Sequence, residues 1–186
     1  LYLDFKRYYP SSNGKPSNHK PYRLYGSDDA LQLTISQACG WSNAELYVNG
    51  LSENNDTEWM DSLSSMDSWR HYQLLFKESS AGGVADGVIK MYLDGTQYGI
   101  NSSNQKTRIY SSQHFDQVRV GHYYDVYPRD NCDPNDNSVV YSDNVYIDTT
   151  WARVEIGNAN TYSASTHREI QIPTTWSSDG KSITVT

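Results

Sequence analysis

Two neighbouring stretches, "WRHYQLLFK" at residues 69–77 and "VIKMYLDG" at residues 88–95, decide the fold class. Read with a period of two, the first puts Tyr72, Leu74 and Phe76 on one face, and the second puts Ile89, Met91 and Leu93 on its own. Such alternation marks strands buried on one side. The opposite faces carry His71 and Gln73, then Lys90 and Tyr92. These side chains suit a ligand as well as they suit water.

The same rhythm recurs along the chain, in "LYLDFKRYY", "YRLYG", "LQLTIS", "AELYVNG", "FDQVRVGHYYDV", "DNVYID", "ARVEIG", "REIQIP" and "SITVT". Val, Ile, Thr and Tyr are frequent within the runs. "YVNG", "SAGG" and "YLDGTQYG" read as turns between them. "TEWMDSLSSMDSW" is the one weak helical candidate and reads as a loop or single turn. So many strands in one domain predict an all-β, antiparallel fold, a two-sheet sandwich or a barrel. The strand pattern changes rhythm near Thr150, which predicts a sandwich over residues 1–149 and a β-rich extension, or the start of a following domain, over 150–186.

The composition bounds the function. Hydrophobic residues make up 37% of the 186, enough for a core, and 16 residues are Tyr, whose apolar ring and polar tip serve a core or a ligand. A net charge of −7 argues against nucleic acid as a partner, because phosphate binding needs a basic footprint. No apolar run approaches the roughly 18–20 residues that span a bilayer, and no signal peptide is visible. The chain opens and stops within strand-like runs, so a piece of a longer protein, joined to further domains, is expected. Cys39 and Cys132 form no CxxC pattern, which argues against a thiolate zinc site or redox motif. They are either unrelated thiols or the disulfide of an exported protein. A disulfide closing so long a loop would contribute about 4–5 kcal/mol in the chain-entropy model.

The combination of Trp69, Asp86-Gly87, Asp94-Gly95 and the late "DNVYID" beginning at Asp143 resembles the concanavalin A-like, or laminin-G-like, jelly rolls of bacterial polysaccharide lyases and carbohydrate-binding modules. The resemblance covers residues 1–149 and implies a jelly-roll sandwich that handles polysaccharide outside the cell. The Glu-x-Asp-x-x-Glu strand of the hydrolase branch is absent, which disfavours a retaining glucanase. The Arg-rich and Gln-x-His strands of the lyase branch are also absent as such, although His71-Tyr72-Gln73 offers the latter's residue types in reverse.

Extending the alternation to "YRLYG" and "FDQVRVGHYYD" sends Tyr22, Leu24, Val118 and Val120 inward. It gathers Arg23, Tyr25, His71, Gln73, Lys90, Tyr92, Arg119 and Tyr123 outward, as one face rich in cations and free of carboxylates if the strands share a sheet. Aromatic rings with planar polar partners suit a sugar, and Arg forks suit a uronate or sulfate. Gly121 would let a ligand chain approach closely. The alternative is an ordinary solvent-facing sheet with cross-strand pairs. Three functions follow: a carbohydrate-binding module for an acidic polysaccharide, a lyase acting by β-elimination, or a structural module of a surface fibre, surface layer or phage particle. For a lyase, the catalytic candidates are His71, Gln73, Arg119 and Tyr123 or Tyr92. His122 is expected in the core, and His19, His114 and His167 in solvated positions. The loop "YPRDNCDPNDNSVVYSDN" offers Asp130, Asp133, Asp136 and Asp143 as calcium ligands, with Asp28-Asp29 a second candidate; no organic cofactor is expected. Asp and Asn also simply favour turns.

Overall fold

The structure is a computed structural model and describes residues 1–13, 18–26, 32–38, 44–49, 58–60, 67–125 and 139–185. Cys39, Cys132, Asp28, Asp29, Asp130, Asp133 and Asp136 lie outside them, so the disulfide and most of the calcium expectation fall there too.

The chain divides into two units, Leu1–Ile147 and Asp148–Thr186. The first is a two-layer β structure, as the alternation implies. One sheet has the order β10-β1-β6-β7-β8, from β1 (Tyr2–Tyr8), β6 (Trp69–Lys77), β7 (Gly87–Leu93), β8 (Thr96–Gln105) and β10 (Tyr141–Asp148). The other has the order β5-β4-β3-β2-β9, from β2 (Asn18–Gly26), β3 (Gln32–Ala38), β4 (Ala44–Asn49), β5 (Glu58–Met60) and β9 (Phe115–Asp125). The pairings β1–β6, β6–β7, β7–β8, β2–β3, β3–β4, β4–β5 and β2–β9 are antiparallel.

The core forms where the apolar faces meet. Leu3, Phe5, Tyr72, Leu74, Phe76, Ile89, Met91 and Leu93 come from the first sheet, and Tyr22, Leu24, Leu33 and Ile35 from the second. Phe5 stacks on its cross-strand neighbour Tyr72 at 5.0 Å and meets Tyr22 of the facing sheet edge-on at 6.3 Å. Burial pushes the phenols of Tyr22 and Tyr72 up, since a phenolate there would lack water.

Three local findings differ from the expectations. "YLDGTQYG" is more than a turn: Asp94 and Gly95, at φ 51° and 80°, make a two-residue hairpin between paired Leu93 and Thr96, and β8 runs on from it. The polar "INSSNQ" hides that strand from a propensity reading. Part of "TEWMDSLSSMDSW" is β5 and not a loop. Gly121, at φ 68°, sits where the β2–β9 register shifts between Lys20 and Tyr22, as glycine does in a β-bulge. A Cβ there would lie 2.8 Å from Ser142 Oγ, so the glycine makes room for β10 of the other sheet and not for a ligand chain. Pro21 lies at the same irregularity, and the β2–β3 register also shifts between His19 and Arg23. A proline inside a five-stranded sheet is tolerated because both ladders break beside it.

The second unit holds two hairpins, β11 (Val154–Gly157) with β12 (Arg168–Gln171) and β13 (Pro173–Trp176) with β14 (Ile183–Val185). In the first, the Arg168 guanidinium lies 3.9 Å from the Tyr162 ring centroid, and Glu155 pairs with Arg153 and Arg168.

Candidate functional site on the outer face of the β1–β6–β7 sheet

Register fixes a grid on the outward side of this sheet. Asp4 lies opposite Gln73, Gln73 opposite Tyr92, and Tyr92 opposite Gln97. On one side of that row Lys6 faces His71 and Tyr8 faces Trp69; on the other, Leu75 stands between Tyr2 and Lys90. The sequence "YLDFKRY" thus does for β1 what the Trp69 run does for β6, with Leu3 and Phe5 inward and Tyr2, Asp4, Lys6 and Tyr8 outward.

At the middle of the grid is a closed hydrogen-bond network. The Tyr2 hydroxyl donates to Asp4 Oδ2 at 2.6 Å, and Gln73 Nε2 donates to Asp4 Oδ2 at 2.9 Å and to the Tyr2 oxygen at 2.8 Å. His71 Nε2 lies 2.8 Å from Asp4 Oδ1. Asp4 is 3% and Gln73 5% exposed, so these groups form the floor of the site. A carboxylate only accepts, so Nε2 carries the proton, and in the neutral ring Nδ1 is left as an acceptor. Burial alone would raise the Asp4 carboxyl. The hydrogen bond and charge of His71, with the Tyr2 and Gln73 hydrogen bonds, outweigh it and hold the group below the usual carboxylate range.

The His71 backbone is held as firmly as its ring. Its N–H donates to Asp94 Oδ1 at 2.8 Å, and its carbonyl accepts the Asp94 N–H at 2.8 Å. Asp94 also pairs with Arg70. The left-handed hairpin turn therefore fixes the strand from which His71 projects.

Aromatic rings stand along the margin. Trp69 and Tyr141 are 49% and 51% exposed. Tyr8 lies between them, with ring centroids 5.6 Å from Trp69 and 6.1 Å from Tyr141. Farther along, the Tyr146 ring is 6.1 Å from Tyr2. Tyr141 and Tyr146 both reach outward residues of β1 although five positions apart, an odd spacing that would oppose them in a regular strand. Asn144 between them is left-handed at φ 52° and resets the alternation. Asp67, also left-handed at φ 58°, accepts the Ser11 N–H at 2.9 Å and donates its own N–H to the Tyr9 carbonyl at 2.9 Å. It thereby ties down the chain ahead of Trp69.

Of the eight residues expected on one face, His71, Gln73, Lys90 and Tyr92 are together here. Arg23, Tyr25, Arg119 and Tyr123 belong to β2 and β9 of the other sheet, so the eight do not form one groove. Alternation assigns a side chain to a face but does not say which sheet the strand joins. For Tyr123 the structure gives the pairing with Lys20, beyond the bulge that ends strict alternation. Nor is the face free of carboxylate, since Asp4 sits at its centre. Tyr2, Asp4, Tyr8, Trp69 and Tyr141 were missed, and splitting "LYLDFKRYY" into its two faces would have supplied the first three. His114 and His167 are exposed, as expected. Among the described residues no His, Cys, Asp and Glu group has metal-site geometry, and no helix is long and apolar enough to cross a membrane.

The Asp4 carboxyl makes stability depend on pH in a fixed direction. Its folded value lies below its unfolded value of about 3.9. The stabilisation is therefore present above that value and is lost as pH falls through it towards the folded value. Urea unfolding between pH 7 and pH 3 should show a steeper acid loss for the wild type than for Asp4→Asn. Parallel curves would refute the assignment.

No family model matches the chain, and no curated protein matches it. Among solved structures it is similar to the alginate lyase Aly36B, with 13% identity and a TM-score of 0.44, over 66% of this chain and 60% of that one. The chain thus spans less than two thirds of that lyase.

Proposed function

We propose that residues 1–147 form a carbohydrate-binding module of a longer extracellular protein, with the outer β1–β6–β7 face as its polysaccharide site. The observation that supports this best is the run of rings in which half-buried Tyr8 lies between exposed Trp69 and exposed Tyr141, beside a grid of amide, imidazole, phenol and ammonium groups. Sugar rings stack on such aromatic surface through their C–H faces while their hydroxyls meet the polar groups. Lys6 and Lys90 supply charge for acidic substituents. A glycan array identifies the sugar. Trp69→Ala should then weaken binding about thirtyfold, some 2 kcal/mol, with an unchanged melting temperature. Unchanged affinity in both Trp69→Ala and Tyr141→Ala would refute the site.

A second reading, β-elimination on a uronate, is favoured by the Asp4–His71 pair. In it Lys90 neutralises the uronate carboxylate, His71 Nδ1 takes the adjacent C–H proton, and Tyr92 protonates the departing glycosidic oxygen as the C–O bond breaks and a C=C bond forms. Arg119, on the other sheet, has no part in this centre. Incubation with the bound polysaccharide separates the readings, because elimination alone generates ultraviolet-absorbing unsaturated ends. A structural module of a fibre or particle would give neither binding nor absorbance.

A further inference from the structure

The proton on His71 decides what its outer nitrogen offers a ligand. Nε2 is committed to Asp4 at 2.8 Å, while Nδ1 has no partner among the described residues and is open to solvent, on a side chain 19% exposed. In the neutral ring Nδ1 accepts; in the imidazolium it donates, and Nε2 keeps its bond to Asp4 in both. The ring therefore changes its outward chemistry without changing its anchor.

The groups around it make that change consequential. From β1, Asp4 and Lys6 face the ring, Lys6 as its direct cross-strand partner. Lys6 has no carboxylate partner of its own among the described residues. Tyr92 and Asp94 stand on the β7 side, where Asp94 is engaged by Arg70 and by the His71 N–H. Lys90 lies farther along, opposite Leu75. Asp4 is held low and stays ionised, so the imidazole is the group of this set that changes charge between pH 5 and 8. At the upper end of that range Asp4 and Lys6 balance each other; protonation adds a positive charge directly opposite Lys6. Like charges so placed repel, and an oxyanion accepting from both Lys6 Nζ and Nδ1–H would relieve the repulsion through charge-assisted hydrogen bonds. We propose, on the reading that this face is the saccharide site, that His71 sets its charge preference: the protonated ring, with Lys6, selects saccharides bearing a carboxylate or sulfate, and the neutral ring does not. A neutral sugar hydroxyl both donates and accepts, so it meets either form of Nδ1. An oxyanion only accepts and is met only by the imidazolium. The module thus holds acidic polysaccharide in mildly acidic surroundings and loosens it as pH rises.

Calorimetric titration at fixed ionic strength, at about pH 5 and about pH 8, tests this with a uronate tetrasaccharide, a sulfated neutral tetrasaccharide and an unsubstituted neutral one. Both acidic substituents stay ionised across that range. The wild type should bind at least one anionic probe about tenfold more tightly at the lower pH, and the unsubstituted probe equally at both. The probe that gains identifies the substituent. Its binding at about pH 6.5 should also take up a proton, read by comparing buffers of different ionisation enthalpy. His71→Gln should remove the pH dependence and the proton uptake together. Lys6→Gln should weaken the anionic probe at both pH values and keep the slope. Equal anionic affinity at the two pH values overturns the proposal, as does a gain in acid that survives in His71→Gln. Absence of proton uptake by the wild type overturns it whether or not His71→Gln folds. The two readings fail separately. If Trp69→Ala weakens every probe but no affinity depends on pH, the charge preference falls and the saccharide face stands. If no probe binds at either pH, the saccharide face falls and takes the preference with it.

Discussion

Asp4→Ala should destabilise the protein by about 3 kcal/mol at neutral pH, a large loss for a residue on the outward side of its sheet. Truncation leaves the Tyr2 hydroxyl, the Gln73 amide and His71 Nε2 aimed at a place where their shared acceptor has gone. Tyr2 and Gln73 are buried, so water cannot freely replace it. Asp4→Asn should lose less stability, because an amide oxygen still accepts from some of these donors, but it cannot satisfy all of them. Saccharide affinity separates a positioning role from bulk stability. At a temperature where Asp4→Asn is fully folded, its affinity should fall and its pH profile should change, because His71 is no longer fixed in one tautomer. If Asp4→Ala unfolds in urea like the wild type, the network contributes little and the central row is ordinary surface.

Phe5→Ala, one residue along and on the other side of β1, should lose about 4 kcal/mol. The ring is fully buried, stacked on Tyr72 within its own sheet and edge-on to Tyr22 across the sandwich. Its removal opens a cavity between two rings whose strands cannot close up independently, and it also forfeits the aromatic pair energy. This loss should be independent of pH, in contrast to that at Asp4, since no titrating group changes partner. Denaturant unfolding at pH 7 and pH 3 distinguishes the two: the Asp4→Ala deficit shrinks as pH falls below the unfolded carboxyl value of about 3.9, while the Phe5→Ala deficit persists. Phe5→Leu should recover most of the stability, being closer in volume.

The contrast along β1 also shows what could be read from the residues. The inward faces of "WRHYQLLFK" and "VIKMYLDG" were legible because period-two alternation is a local property, and Leu74 pairs with Met91 and Phe76 with Ile89 as that reading requires. Tyr22, Leu24, Val118 and Val120 were legible for the same reason. Sheet membership was not. β6 takes β1 as a neighbour across most of the intervening chain, and β9 takes β2, choices set by which apolar faces close together over a core and not by any short motif. The site was therefore half legible. His71 and Gln73 were found, whereas their carboxylate was hidden in an amino-terminal run that looks uniformly strand-like until it is divided into faces. Gly121 misled in a different way, because a left-handed residue at a bulge breaks the parity count for everything beyond it.

The left-handed Asn144 in β10 has a consequence for the molecule's behaviour in concentrated solution. β10 ends the described order of its sheet and exposes Tyr141, Val145 and Ile147, the makings of a sticky border. A straight strand of that composition would offer a template on which a second molecule could add in register and seed fibrils. The reversed twist at Asn144, with its N–H turned onto the neighbouring Asp143 carboxylate at 2.8 Å, interrupts that template in mid-strand. The bend that brings Tyr146 over Tyr2 thus also guards against self-association, and a β-branched residue at position 144 would remove both.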